Sequence, residues 1–162
     1  MTSPSGQAAD GVTSVTAGAA DAIRRPAQPA STIAFPHGLP GFPGATRFTL
    51  LPLADGAGGL LVLQSADAPD LRFLVVPYLG GELPLSREDL ERACATAGVP
   101  PERAAVLLVV TRRPPLAASD GAGELFVNLR APVLVDTERR TAVQCVLPSP
   151  SYSVRHPLAA AA

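Results

Sequence analysis

The sequence contains no Trp and no Lys, and its only Asn is Asn128. Every cation is therefore Arg, a pattern that coding bias explains and that carries little chemistry. With 13 basic residues against 14 acidic ones, the net charge is −1. That near balance argues against strong non-specific or direct nucleic-acid binding. No apolar run reaches the ~18–20 residues that a membrane-spanning helix requires. Arg24-Arg25 is followed by Pro26-Ala27-Gln28-Pro29 in place of an apolar stretch, so twin-arginine export is not supported. A soluble, cytoplasmic protein without a membrane partner is the expectation.

Cysteine and histidine are equally scarce, at two each. Cys94 and Cys145 lie far apart in sequence, and neither C-x-x-C nor H-x-x-x-H spacing occurs. A metal site has little support, and two small apolar thiols in a reducing compartment are the simpler reading. Gly-x-Ser-x-Gly is also missing. A hydrolase would have to combine Ser65 or Cys145 with His156, and no local spacing ties them. His37 and His156 both sit in Pro-flanked loops. Glu88, Asp89 and Glu91 fall at the start or on the solvated side of a helix, where they favour its dipole. Gly56-Ala57-Gly58-Gly59 runs into a strand, as a hairpin turn would, and lacks the helix N-terminus that a phosphate loop needs; Gly121-Ala122-Gly123 fails likewise. No catalytic residue, cofactor site or metal site is expected, and the chain reads as a non-enzyme.

What is present is a core. At 162 residues, 47% hydrophobic and 17% charged, the chain suits one folded domain. Residues 1–30, rich in Ala, Gly, Ser, Thr and Pro, read as a flexible extension, with a weak edge-strand signal over Gly11 to Thr16. From Ser31 short apolar runs alternate with turn residues. Candidate strands are Thr32–Phe35, Arg47–Leu53, Gly59–Gln64, Leu71–Val76, Ala104–Thr111, Glu124–Leu129, Pro132–Asp136 and Ala142–Leu147. The last two form a hairpin across Thr137-Glu138-Arg139-Arg140. One helix is marked by Ser86 and Asp89 in capping-box spacing, by Leu90, Ala93, Cys94 and Ala97 on one face, and by Gly98 and Pro100-Pro101 at its end. Arg112 to Gly123 reads as a polar loop containing Arg112-Arg113, and Arg139-Arg140 as solvated loop charges. The fold class is mainly β: a small antiparallel β-barrel-like single domain with one marked helix, spanning residues 31–158, with 159–162 as a tail.

Phe35-Pro36-His37-Gly38-Leu39-Pro40-Gly41-Phe42 is the most distinctive segment. Proline fixes φ and glycine permits positive φ, so this stretch is a loop of defined shape with an aromatic ring at each end. Nothing in it is a nucleophile, which points to recognition. Asn128 lies between two strands, where its side chain suits closing a turn on nearby backbone. Gln64-Ser65 ends a strand in similar fashion. Tyr152-Ser153-Val154-Arg155-His156-Pro157-Leu158 either ties down the end of the domain or offers a surface contact.

Taken in order, several motifs resemble the FliW family of flagellar assembly factors. They are Phe35-x-x-Gly38-Leu39-Pro40-Gly41-Phe42, Phe48-x-Leu50, Leu63-Gln64-Ser65, Phe73 with Val75-Val76-Pro77, and Ala105-Val106 through Val110-Thr111. The series continues with Asn128-Leu129-x-Ala131-Pro132-Val133, Gln144-x-Val146-Leu147 and Tyr152-x-x-Arg155-x-Pro157-Leu158. The resemblance covers about Ser31 to Leu158. It implies a β-barrel-like, non-enzymatic protein of the bacterial cytoplasm, a monomer that binds flagellin and the translational regulator CsrA. In that family, flagellin occupancy controls how much factor is free to antagonise CsrA allosterically, so that flagellin translation follows flagellin export. The expected protein-binding residues are Phe35, Gly38, Leu39, Pro40, Gly41 and Phe42 in the loop, Asn128, Leu129 and Pro132 at the neighbouring turn, and Tyr152 and Arg155 near the C-terminus. The chain differs from the family pattern in its long N-terminal extension and its nearly neutral charge. The alternative function is a small-molecule-binding β-barrel module, for a flavin or nucleotide.

Overall fold

The structure, a computed structural model, describes residues 32–53, 59–114 and 123–159. Nine strands and one α-helix are present among them: β1 (Thr32–Ala34), β2 (Arg47–Pro52), β3 (Leu61–Ser65), β4 (Arg72–Tyr78), α1 (Arg87–Ala97), β5 (Ala104–Arg113), β6 (Glu124–Val127), β7 (Val133–Asp136), β8 (Thr141–Gln144) and β9 (His156–Leu158). A short 3-10 turn, Pro101–Arg103, leads into β5. The edge-strand signal at Gly11 to Thr16, the glycine run Gly56-Ala57-Gly58 and the pair Gly121-Ala122 lie outside the described residues.

The strands form a single sheet that bonds back on itself. Its order is β4-β3-β2-β1-β8-β7-β5-β6-β9, with a further β4–β5 pairing. That extra pairing closes a ring of β4, β3, β2, β1, β8, β7 and β5, and leaves β6 and β9 as an outward extension. β5 makes both possible because it is long. Its first half, Ala104 to Leu107, pairs with β7, and its second half, Val110 to Arg113, pairs with β6.

A closed ring with an odd number of strands cannot alternate direction all the way round. One neighbouring pair must run parallel, and that pair is β1–β8, registered at Ala34↔Thr141. The antiparallel expectation therefore holds everywhere except at this seam, where Ala34 N–H also donates to the Arg140 carbonyl at 2.9 Å. Each ring strand turns at least one buried residue inward: Ile33, Phe48, Leu63, Val75, Leu107, Val135 and Ala142. Side-chain alternation puts the neighbouring residues of β4 and β5 outside. There Leu74, Val76, Leu108 and Val110 meet Leu90 of the helix, Leu129, Leu147 and Tyr152.

Helix α1 starts and stops as its sequence dictates. Ser86 Oγ accepts from the Asp89 amide at 3.3 Å, and Gly98 at φ 68 ends the helix in the left-handed conformation. Cys94 packs beneath it with Val99, Ala104 and Leu134, and Cys145 joins the same cluster. Both thiols are free and both are pushed up in pKa by burial.

Several boundaries move for physical reasons. β3 begins at Leu61 instead of Gly59, which takes a positive φ of 72. β5 runs on through Arg112 and Arg113, which are strand residues rather than the loop residues expected. β6 stops at Val127 because Asn128 turns the chain. β8 ends at Gln144, although Cys145 and Leu147 still donate to the carbonyls of Pro132 and Arg130 at 2.9 and 2.8 Å. The hairpin over Thr137 to Arg140 is present, with buried Asp136 accepting from the amides of Glu138 and Arg139 at its start.

Candidate functional site, one end of the ring

The distinctive loop is built from three hydrogen-bonded turns, each with proline in its second position. Gly38 N–H donates to Phe35 O at 2.8 Å, Phe42 N–H to Leu39 O at 2.7 Å, and Ala45 N–H to Phe42 O at 3.2 Å. Pro36, Pro40 and Pro43 set φ at each second position. Gly41, third in the middle turn at φ 86, supplies the positive φ that a type II turn demands. Gly38 is more constrained still. A Cβ there would lie 2.6 Å from the Phe42 carbonyl oxygen and 2.7 Å from Pro43. No side chain fits.

These turns divide the expected contact residues by depth. Phe35, Leu39 and Ala45 point inward and plug the end of the ring core. Phe35 and Leu39 thus set loop shape and are not available as surface contacts. Pro40, Gly41 and Phe42 are exposed, with Phe42 at 44%. The rings form a chain from surface to core: Phe42 meets Phe73 edge-on at 5.7 Å, Phe73 lies 6.2 Å from Phe48, and Phe48 meets Phe35 at 4.9 Å. A base clip holds the loop's exit. Asp67 accepts from the amides of Thr46 and Arg47, and from the Arg47 guanidinium at 2.8 Å. The bonds from Arg47 and Thr46 hold its carboxyl below the ordinary value.

The second group of residues forms a scaffold. Asn128 Oδ1 accepts from the amides of Arg130 and Ala131 at 3.0 and 3.1 Å, closing the turn on itself. Leu129 and Pro132 are buried on either side of it. The third group splits. Arg155 is exposed, and its guanidinium carbon sits 5.5 Å from the centre of the Phe126 ring. Tyr152 is buried and turns to the opposite face, where it ties the C-terminal segment to α1.

Strand register brings Phe42 of the first group and Arg155 of the third onto one face. Phe73 pairs with Leu63, and Phe126 pairs with both Thr111 and Pro157. One step beyond the Leu74↔Val110 pair, Phe73 stands level with Thr111. Leu63, Phe73, Thr111, Phe126 and Pro157 therefore make one row across β3, β4, β5, β6 and β9, on the side of the sheet that lines the ring core. Phe42 rests on one part of this row and Arg155 on another. Exposed Thr111 separates two half-buried rings, and an Arg113–Glu124 ion pair at 3.6 Å lies one step further out. Phe73, Phe126 and Thr111 were missed as site residues. Period-2 alternation showed each to face one way, but not that they share a rung.

The geometry offers no support to a hydrolase. Ser65 is buried, and its Oγ accepts from the amides of Asp67 and Ala68. His156 lies in β9, with β4, β5 and β6 between it and β3 in the sheet. Burial favours the neutral thiol of Cys145, whereas a nucleophile requires the thiolate. Among the described residues no group of three or more His, Cys, Asp and Glu could hold a metal ion. No described helix is long and apolar enough to cross a membrane.

Comparison with known proteins gives a consistent picture. Residues 23–158 match the family model described as FliW protein, eight residues further upstream than the resemblance read from the sequence motifs. A "Flagellar assembly factor FliW" of Desulfitobacterium hafniense (strain Y51) is 33% identical over 144 residues, covering 80% of this chain and 82% of that protein. One from Bacillus licheniformis is 30% identical over 133 residues, covering 78% and 85%. A crystal structure titled as the flagellar assembly factor FliW aligns with a TM-score of 0.55 at 23% identity, over 78% of this chain and 84% of that one.

Proposed function

The chain belongs to the FliW family of flagellar assembly factors, and from that premise we propose that it works by binding other proteins. The partners are flagellin and the translational regulator CsrA. The protein is a cytoplasmic, non-enzymatic monomer. Bound to flagellin it is sequestered; once flagellin is exported it antagonises CsrA allosterically, and flagellin translation rises. The logic is linkage, since two mutually exclusive complexes of one protein report the free level of either partner.

The observation that carries this reading is the row through Phe73, Thr111 and Phe126, with Phe42 resting on the first ring and Arg155 on the second. An exposed aromatic ring on a rigid turn, backed by a second ring and neighboured by Arg, has the make-up of an interface anchor. Rigid turns reduce the ordering entropy that binding would otherwise cost. The small-molecule alternative fares worse. Phe35, Phe48, Leu63, Val75, Leu107 and Val133, each fully buried, fill the interior where a barrel would hold its ligand.

The test is a pull-down of flagellin and of CsrA with wild-type protein and with Thr111→Arg, which places a bulky charge in the row without touching the core. Wild type should retain both partners, and the variant should lose at least one of them at unchanged melting temperature. Retention of neither partner by wild type would overturn the proposal.

A further inference from the structure

We infer that Cys94 and Cys145 are a dithiol that hydrogen peroxide closes to an intramolecular disulfide, joining α1 to the strand end just beyond β8. This modification site is separate from the partner-binding face and does not depend on that reading.

Strand alternation places both side chains in one layer. Ala142 points into the ring core, so Val143 and Cys145 turn to the outer face of the sheet. The Cys145 amide still donates to the Pro132 carbonyl at 2.9 Å, which carries the alternation past Gln144. Cys94 meets the same layer from α1, in one cluster with Val99, Ala104 and Leu134, and Cys145 packs against that cluster. The surrounding residues are small: Ala93 and Ala97 on the helix, and Ala104 on β5. Little bulk therefore holds helix and sheet apart. Both thiols are free in the structure.

Electrostatics agree with this placement. Burial is the main cause of the raised Cys94 pKa, and the charge of Cys145 comes next, ahead of that of Glu91. Glu91 stands three residues back on the same helix, a spacing that puts Cβ atoms about 5–6 Å apart. Cys145 thus acts on Cys94 as a near neighbour.

Exposure sets the order of events. Cys145 is half-buried and Cys94 only 4% exposed, so peroxide meets Cys145 first. The Cys145 thiolate attacks one peroxide oxygen, the O–O bond breaks, and a sulfenic acid and one water result. The Cys94 sulfur then attacks Cys145 Sγ; the S–S bond forms and the sulfenic oxygen leaves as a second water. Two thiols give up two electrons and two protons, and one hydrogen peroxide becomes two waters. Burial favours both neutral thiols, so the first step is slow. The pair answers a sustained oxidant load, not a trace of peroxide.

The experiment treats folded, full-length protein with hydrogen peroxide at about pH 8, where more thiolate is present, then blocks remaining thiols with N-ethylmaleimide. Wild type should become a monomer lighter by two hydrogens with no maleimide adduct. Its unreduced tryptic digest should contain residues 93–103 linked to residues 141–155, and dithiothreitol should restore both thiols. Closing a loop of about 50 residues should raise the melting temperature of the oxidised form by at least about 5 °C. Cys94→Ala and Cys145→Ser, each checked by thermal melt in the reduced state, should gain neither the closed mass nor the added stability. Two maleimide-labelled thiols after peroxide, separate oxidation of each sulfur, disulfides only between chains, or a linked peptide that forms only in urea would each overturn the inference.

Discussion

The Tyr152 hydroxyl donates to the Asp89 carboxylate at 2.5 Å while accepting the Ser86 amide at 3.2 Å. In an ordinary capping box the acidic side chain at the third helical position would reach the amide of the capping residue directly. Here that position holds Asp, one methylene shorter than Glu, and the tyrosine hydroxyl stands between the two. The end of the chain thereby completes the start of α1.

Tyr152→Phe should therefore lower stability by about 1–3 kcal/mol, because it removes the partner of Asp89 Oδ2 and of the Ser86 amide together, leaving Asp89 only its Oδ1 bond to Arg92 at 2.9 Å. Burial and the bond to Asp89 raise the Tyr152 pKa, with the bond the larger cause. A raised folded-state value means this contribution is complete below the unfolded value near 10 and is lost as pH rises through the folded one. Urea midpoints followed from pH 8 to pH 11 should fall in wild type, with a shallower fall in Tyr152→Phe. Parallel curves would show that Tyr152 is not responsible.

Gly38 and Gly41 both have positive φ, yet substitution should separate them. An added Cβ at Gly41 meets nothing within 4 Å, so Gly41→Ala carries backbone strain alone, about 1–2 kcal/mol. Gly38→Ala adds a collision with backbone at 2.6 Å that the loop cannot relieve without moving Phe42 and Pro43. It should cost well over about 2 kcal/mol and also disturb partner binding. Equal urea midpoints for the two variants would contradict this geometry.

These local features were legible from the sequence because their causes are local. Pro36, Pro40, Gly41 and Asn128 each dictate a turn through their own backbone or side chain, and Ser86 announces its helix. The short β9 was not legible as a strand: Pro157 breaks its pattern, and only pairing with β6 defines it. The parallel seam at Ala34 and Thr141 follows from counting strands round a closed ring, which requires the pairing to be known. The aromatic row was hidden for the same reason, since Phe73 and Phe126 become neighbours only through their common partner β5.

Acid should weaken the fold through two carboxylates. Burial raises the Asp136 pKa, but the amides of Arg139 and Glu138 and the charge of Arg103, at 3.1 Å, outweigh it and the value falls. The Asp67 value falls too, chiefly through its bond to Arg47. Lowered folded-state values give stability that is present above the unfolded pKa near 4 and lost as pH drops through the folded ones. Melting temperatures should hold from pH 7 to about pH 5 and then decline. Asp136→Asn, less stable at neutral pH, should decline less steeply; an identical slope would remove Asp136 from the account.

Phe42 and Phe48 occupy the surface and the core parts of one aromatic chain, and their substitutions should have opposite signatures. Phe48 is fully buried beside Phe35, so Phe48→Ala should cost about 3–5 kcal/mol by opening a cavity in the ring core. Phe42 is 44% exposed and loses mainly its edge contact with Phe73, so Phe42→Ala should cost only about 1 kcal/mol. Because that ring is displayed on a rigid turn above the row, its removal should instead weaken flagellin binding at least about tenfold. Urea unfolding and a flagellin titration on the same preparations separate the two effects. A Phe42→Ala protein that binds normally would place the contact surface elsewhere on the sheet, whatever its stability.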